Sequence, residues 1–402
     1  MNRGPNKPLI STTCSSLLAC LSLGRFGFSK PIVIGVALVL LSVALLSLPA
    51  VNALTLVWTN YTPSPSGDLN SVYCVSANDC WAVGFGGVTL HWDGTSWTSV
   101  STPLGHLSTL TSVFCVTTSD CYAVGAEVIG AGPQTILQWN GAAWAIVFTN
   151  TVMVGRTVLN SVYCVSATDC WATGDTAVTL HGSGPTWTSI TNPLQPPSVD
   201  FFFSVFCVST NDCWAVTALG SIINWNGVAW GAWGAPLFIF ESVYCVGASD
   251  CWIVGSDGLI DHWNGFFWVS FTSPLTPTTN TLWSVFCVDA SDCWAVGDAG
   301  TIIQFNGSSW VIVTSPTSNA LHGVFVDSGW AVGDGGTIIR GEPPAVATTT
   351  TTAPPPAVHP LNVGGEMLPV NMLRVVAPWI AAMLGLAVVA VETLVIKRRN
   401  NR

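Results

Sequence analysis

Basic residues are scarce in this 402-residue chain, with 11 Lys and Arg against 21 Asp and Glu. Between residues 54 and 340 only Arg156 and Arg340 are basic, and they face eighteen acids running from Asp68 to Asp334. A stretch that acidic repels phosphate backbones, which excludes nucleic acid as a partner. Charge of either sign is sparse, 8% of all residues, so Ser, Thr, Asn and Gly must solvate the surface, and a cationic partner or a saline exterior would suit it. Catalytic signatures are missing too: the chain has neither a GxSxG nucleophile turn nor an HExxH metal helix. Paired carboxylates such as Asp289 and Asp292 sit in turns, where Asp shapes the backbone. No enzyme activity and no cofactor are expected.

What the chain has is a repeat. Six times between Cys74 and Cys293 it writes a cysteine, five residues, and a second cysteine followed by an aromatic: CVSANDCW, CVTTSDCY, CVSATDCW, CVSTNDCW, CVGASDCW, CVDASDCW. Aligned on SV(Y/F)C, the units begin at Ser71, Ser112, Ser161, Ser204, Ser242 and Ser284, and a degenerate seventh starts at Gly323. Each reads as four short strand-like runs separated by turn residues, which is the grammar of a β-propeller blade. The seventh unit stops at GTIIRGEPP without its last strand, but residues 56–63 (LVWTNYTP) match SWTSVSTP of the first unit, with Trp58 aligned to Trp97. An N-terminal strand that completes the last blade removes an open sheet edge. The expectation is an all-β, seven-bladed β-propeller over residues 54–340.

WAVGDAGTII at 294–303 and WAVGDGGTII at 330–339 resemble the repeats of photosystem II assembly-factor propellers. The DGTSW hairpin at 93–97 is similar to a shortened Asp-box of sialidase-type and sortilin-type propellers. The first resemblance implies an assembly factor of an envelope complex, and the second implies a glycan hydrolase or lyase. Sialidases hold a substrate carboxylate with three arginines, and two cannot build that cluster.

Twelve of the fourteen cysteines fall in the repeats, and Cys14 and Cys20 lie near the N-terminus. Positions i and i+6 of a hairpin oppose each other, so six local disulfides are expected: Cys74 with Cys80, Cys115 with Cys121, Cys164 with Cys170, Cys207 with Cys213, Cys245 with Cys251, and Cys287 with Cys293. The seventh unit lost both cysteines together, as mutual partners would. A metal or redox site fails on the spacing, and the pairs point to an oxidising compartment.

Residues 1–53 read as a signal or anchor segment: 32–48 is apolar, preceded by Arg3, Lys7, Arg25 and Lys30 and followed by the small residues Val51, Asn52 and Ala53. Residues 341–374 form a Thr/Pro-rich stalk. Residues 375–396 are apolar apart from Glu392, long enough for a transmembrane helix, and 397–402 form a basic cytoplasmic tail opening with Lys397, Arg398 and Arg399. The ring then lies on the extracellular face of the cell membrane.

His91, His181 and His262 share one strand position with Gln138, Asn224, Gln304 and Arg340, which marks a polar site in the repeat rather than a metal centre. Trp81, Trp171, Trp214, Trp252, Trp294 and Trp330 open the second strands, and Trp58, Trp97, Trp144, Trp187, Trp230, Trp268 and Trp310 the fourth, so both sets are packing residues. One column varies. Immediately before each SV stand Asn70, Thr111, Asn160, Phe203, Glu241, Trp283 and His322, and alternation turns them away from the apolar column before them. If the first strand is innermost, they ring a mouth of the central channel, and Phe203, Glu241, Trp283 and His322 are the candidate ligand-binding residues. The function expected is non-catalytic binding of an extracellular protein or glycan.

Overall fold

The computed structural model describes residues 55–61, 67–106, 108–127, 132–150, 157–194, 200–233, 238–275 and 279–344. The expected leader, the segment 375–396 and the basic tail lie outside the described residues. Among the described residues, no helix is long and apolar enough to cross a membrane.

Seven four-stranded antiparallel sheets account for the ring. Blade one comprises Leu69–Ser76, Asp79–Gly84, Thr89–Trp92 and Trp97–Ser99, in that order across the sheet. Five more blades repeat this order. In the seventh, Leu321–Phe325, Trp330–Gly333 and Thr337–Glu342 are followed by the N-terminal strand Val57–Asn60, which pairs antiparallel with Thr337–Glu342. The last strand thus runs two residues past the boundary expected at 340. First strands of successive blades touch one another all the way around, which places them innermost and closes the circle.

The second strand of each blade is buried along nearly its whole length because sheets pack on both its faces. Its tryptophan or tyrosine meets the fourth-strand tryptophan of the next blade edge to face. Trp81 pairs with Trp144, Tyr122 with Trp187, Trp171 with Trp230, Trp214 with Trp268, Trp252 with Trp310, Trp294 with Trp58 and Trp330 with Trp97, at 5.0–5.8 Å between centroids. Most of these indole N–H groups are buried without a conventional acceptor. In six of the seven blades the second strand carries a glycine at its last or next-to-last position for lack of space. A Cβ on Gly84 would come within 2.0 Å of the Asp68 carbonyl oxygen, and one on Gly333 within 1.9 Å of that of Ala320.

All six expected disulfides are present, each between residues directly opposed across the first hairpin of a blade. The Cα atoms are 3.9 Å apart, tighter than the usual range of about 4.4–6.8 Å, because the pair faces itself across adjacent strands just before the turn. Blade seven makes its turn with a short 3-10 segment, Val326–Ser328, ended by Gly329 at φ 69°.

The SV serine joins the blades. Ser71 Oγ accepts the Val113 N–H at 3.2 Å, and Ser112, Ser161, Ser204 and Ser242 do the same for Val162, Val205, Val243 and Val285. Among the described residues, the two junctions flanking blade seven lack this bond: Ser284 makes none to it, and Gly323 has no side chain to reach Val72.

Candidate functional site at the channel mouth

The seven residues of the variable column converge. Asn70, Thr111, Asn160, Phe203, Glu241, Trp283 and His322, one per blade, line a single cavity of about 270 Å³ at the end of the axis where the first strands begin. Four of them, Asn70, Thr111, Asn160 and Phe203, also line a larger groove of about 480 Å³ with Phe85, Thr109, Val158, Asp175 and Phe201.

The two halves of the mouth differ in their bonding. On blades one to three the small polar residues are straps: Asn70 Nδ2 donates to the Leu110 carbonyl at 2.7 Å, Thr111 Oγ1 to that of Leu159 at 2.5 Å and Asn160 Nδ2 to that of Phe202 at 2.8 Å. Each links its blade to the next. On blades six and seven the side chains are held within their own blade. Trp283 Nε1 donates to Asp298 Oδ1 at 2.7 Å, and His322 Nε2 lies 2.7 Å from Asp334 Oδ1. The two rings meet edge to face at 5.5 Å. Asp298 itself is fixed by the Thr281 N–H at 3.0 Å.

Glu241 stands between Phe203 and Trp283 in blade order and is half-buried. Its carboxylate has no hydrogen-bond or ion-pair partner among the described residues. Burial in the mouth, with the Asp298 carboxylate adding, pushes it up to about 7. Arg340, the one Lys or Arg side chain among the described residues, is committed elsewhere: its Nε lies 3.3 Å from Glu342 and its guanidinium 5.0 Å above Trp330.

Large apolar side chains are exposed around the same end of the ring. Phe85 and Leu219 follow second strands, and Phe201, Phe238 and Ile239 precede first strands. The connections that carry them all lie at the mouth.

Three residues further along the first strands lies a feature that sequence reasoning missed. Tyr73, Phe114, Tyr163, Phe206, Tyr244, Phe286 and Phe325 form a closed circle, each ring 4.4–5.0 Å from the next and tilted by 43° to 65°. Rings so close and so tilted are fanned like paddles, narrowing the axis to an aromatic iris. With Asp327 they line a second cavity of about 260 Å³. Asp327 takes the register position that Val75, Val116, Val165, Val208, Val246 and Val288 hold in the other blades. Desolvation, with Asp292 adding, raises its pKa. Burial, with Asp327 adding, pushes Tyr73 up to about 12. The signal for this iris was the Y/F choice inside SV(Y/F)C.

The histidine column is structural. His91, His181 and His262 lie 2.8–2.9 Å from Asp79, Asp169 and Asp250 of their own blades, and Gln138, Asn224 and Gln304 donate to the matching Asp120, Asp212 and Asp292 at 2.9 Å. In the hairpin at 93–97, Asp93 Oδ1 accepts the Thr95 hydroxyl and the Thr95 and Ser96 N–H groups, which holds the carboxyl at about 2. Asn140, Asn226, Asn264 and Asn306 cap the same turn in other blades.

Neither a family model nor a curated protein matches the sequence. Solved structures do. "YCF48 bound to D1 peptide" is similar at 14% identity and a TM-score of 0.55, covering 73% of this chain and 99% of that one. YCF48 from Cyanidioschyzon merolae is similar at 13% and 0.56, covering 70% and 98%. The WD40 β-propeller domain of Doa1 is similar at 14% and 0.56, covering 72% and 96%. These likenesses show a shared propeller fold.

Proposed function

We propose that the ring is a non-catalytic binding module, displayed on the outer face of a cell membrane, that docks a segment of another protein at its channel mouth. The observation that carries this reading is the convergence of Phe203, Glu241, Trp283 and His322 on one cavity, at the end of the ring that also exposes Phe85, Phe201, Leu219, Phe238 and Ile239. Recessed aromatic anchors surrounded by further apolar surface are what a protein interface needs at its centre. The outward placement is supported by the six disulfides and by the basic residues that follow 375–396.

A second reading, assembly of an envelope complex, is supported by one comparison: YCF48, which shares the fold, is seen bound to a D1 peptide. Capture from membrane extracts with the intact chain tests both. The wild type should retain a protein that the Phe203→Ala/Trp283→Ala double variant loses, and co-purification of a whole membrane complex would favour assembly. Equal capture by both forms would remove the mouth from the reading. Retention on a glycan array without any protein would move it to a carbohydrate, and turnover of a glycan would overturn the non-catalytic part. Protease applied to intact cells should reach the ring.

A further inference from the structure

We infer that the mouth takes a basic side chain of its partner, an arginine, whose guanidinium sits between Phe203 and Trp283 and pairs with Glu241. This deepens the reading above and rests on it.

Glu241 is a half-buried carboxylate lining a cavity, and no described residue donates to it or opposes its charge. Keeping a carboxylate ionised away from water is costly unless it takes up a proton or a cation arrives. Among the described residues no cation is free to supply one, since Arg340 is paired with Glu342 and stacked on Trp330 and Trp92. The surroundings reinforce the demand for positive charge: Asp298, Asp334 and Asp175 bond to Trp283, His322 and Asn160 around the same mouth.

Shape and chemistry select arginine over lysine. Trp283 is held by its bond to Asp298, so its ring is already oriented before a ligand arrives. Phe203 occupies the neighbouring blade on the other side of Glu241. A planar guanidinium stacks on aromatic faces and presents a fork of donors to a carboxylate, whereas an ammonium is compact and strongly hydrated. The straps on blades one to three, Asn70, Thr111 and Asn160, are neutral, so that half of the mouth offers no competing cation.

The test titrates the full chain, in detergent, with fluorescein-labelled peptides Gly-Ser-X-Ser-Gly, where X is arginine, citrulline, lysine or glutamate, followed by anisotropy. The arginine peptide should bind best, and citrulline, its neutral near-isostere, about tenfold more weakly, equivalent to roughly 1.4 kcal/mol. Glu241→Gln should erase the difference between arginine and citrulline while its thermal unfolding stays cooperative. Equal binding of arginine and citrulline peptides, or an unchanged preference in Glu241→Gln, would overturn the proposal. If extract capture depends on Phe203 and Trp283 but not on Glu241, the arginine inference fails while the docking reading stands. If capture depends on none of the three, both fail.

Discussion

Trp58, from the start of the ring, lies edge to face against Trp294 of blade six, with centroids 5.8 Å apart and planes at 67°. It does for the junction of blades six and seven what Trp144 does for that of blades one and two. Truncating Trp58 to alanine should therefore cost stability like any core tryptophan, about 3 to 5 kcal/mol, read as a shifted denaturation midpoint. A loss below 1 kcal/mol would mean that the N-terminal strand is dispensable for closure.

The serine joints give a matched pair. Ser161 is buried and accepts the Val205 N–H at 3.1 Å, so Ser161→Ala leaves a buried donor without its acceptor and should cost about 1 to 3 kcal/mol. Ser284→Ala removes no such bond and should stay within about 0.5 kcal/mol of wild type. Equal effects of the two substitutions would show that the serine column matters only for strand formation.

Each disulfide closes a loop with a sequence separation of 6, so its effect on chain entropy is small. Replacing Cys164 and Cys170 together by serine should lower stability by about 2 kcal/mol, the low end of the usual range. Peptide mapping of the oxidised protein should recover only links within blades, and one link between blades would contradict the pairing.

Glu241 carries a pH signature. Its pKa rises from an ordinary 4.5 to about 7 on folding. Between those values the folded ring holds a proton that the unfolded chain has released, so this group's contribution to stability falls as pH rises through the window. At roughly 1.4 kcal/mol per unit, the effect is at most about 3.5 kcal/mol, reduced by solvent screening of the half-buried group. Urea midpoints should fall less steeply from pH 4.5 to pH 7 in Glu241→Gln than in wild type. Parallel curves would place Glu241 in water.

Blade number, strand order and disulfide pairing were legible because cysteine, tryptophan and glycine recur at fixed offsets and each has one packing role. The mouth column was found by its variability. What escaped was the meaning of two columns that hardly vary. Ser161 and Tyr163 look like strand register alone, since their partners, Val205 and Phe206, belong to the next repeat and meet them only once the ring curves closed. Likewise Asn70 and Asn160 look like solvent-facing polar residues. Their bonds to Leu110 and Phe202 depend on a neighbour one repeat further along the chain.

The aromatic iris alternates tyrosine and phenylalanine from Tyr73 through Phe286 and then repeats a phenylalanine at Phe325. An odd circle cannot alternate throughout, so one mismatch is unavoidable, and it falls in blade seven. That blade also lacks a disulfide, lacks serine joints on both sides among the described residues, and borrows its outer strand from the far end of the ring. The concessions are concentrated in one sector rather than spread around the circle. The ring consequently has a seam, and under load or denaturant it should part there first, as a bracelet opens at its clasp.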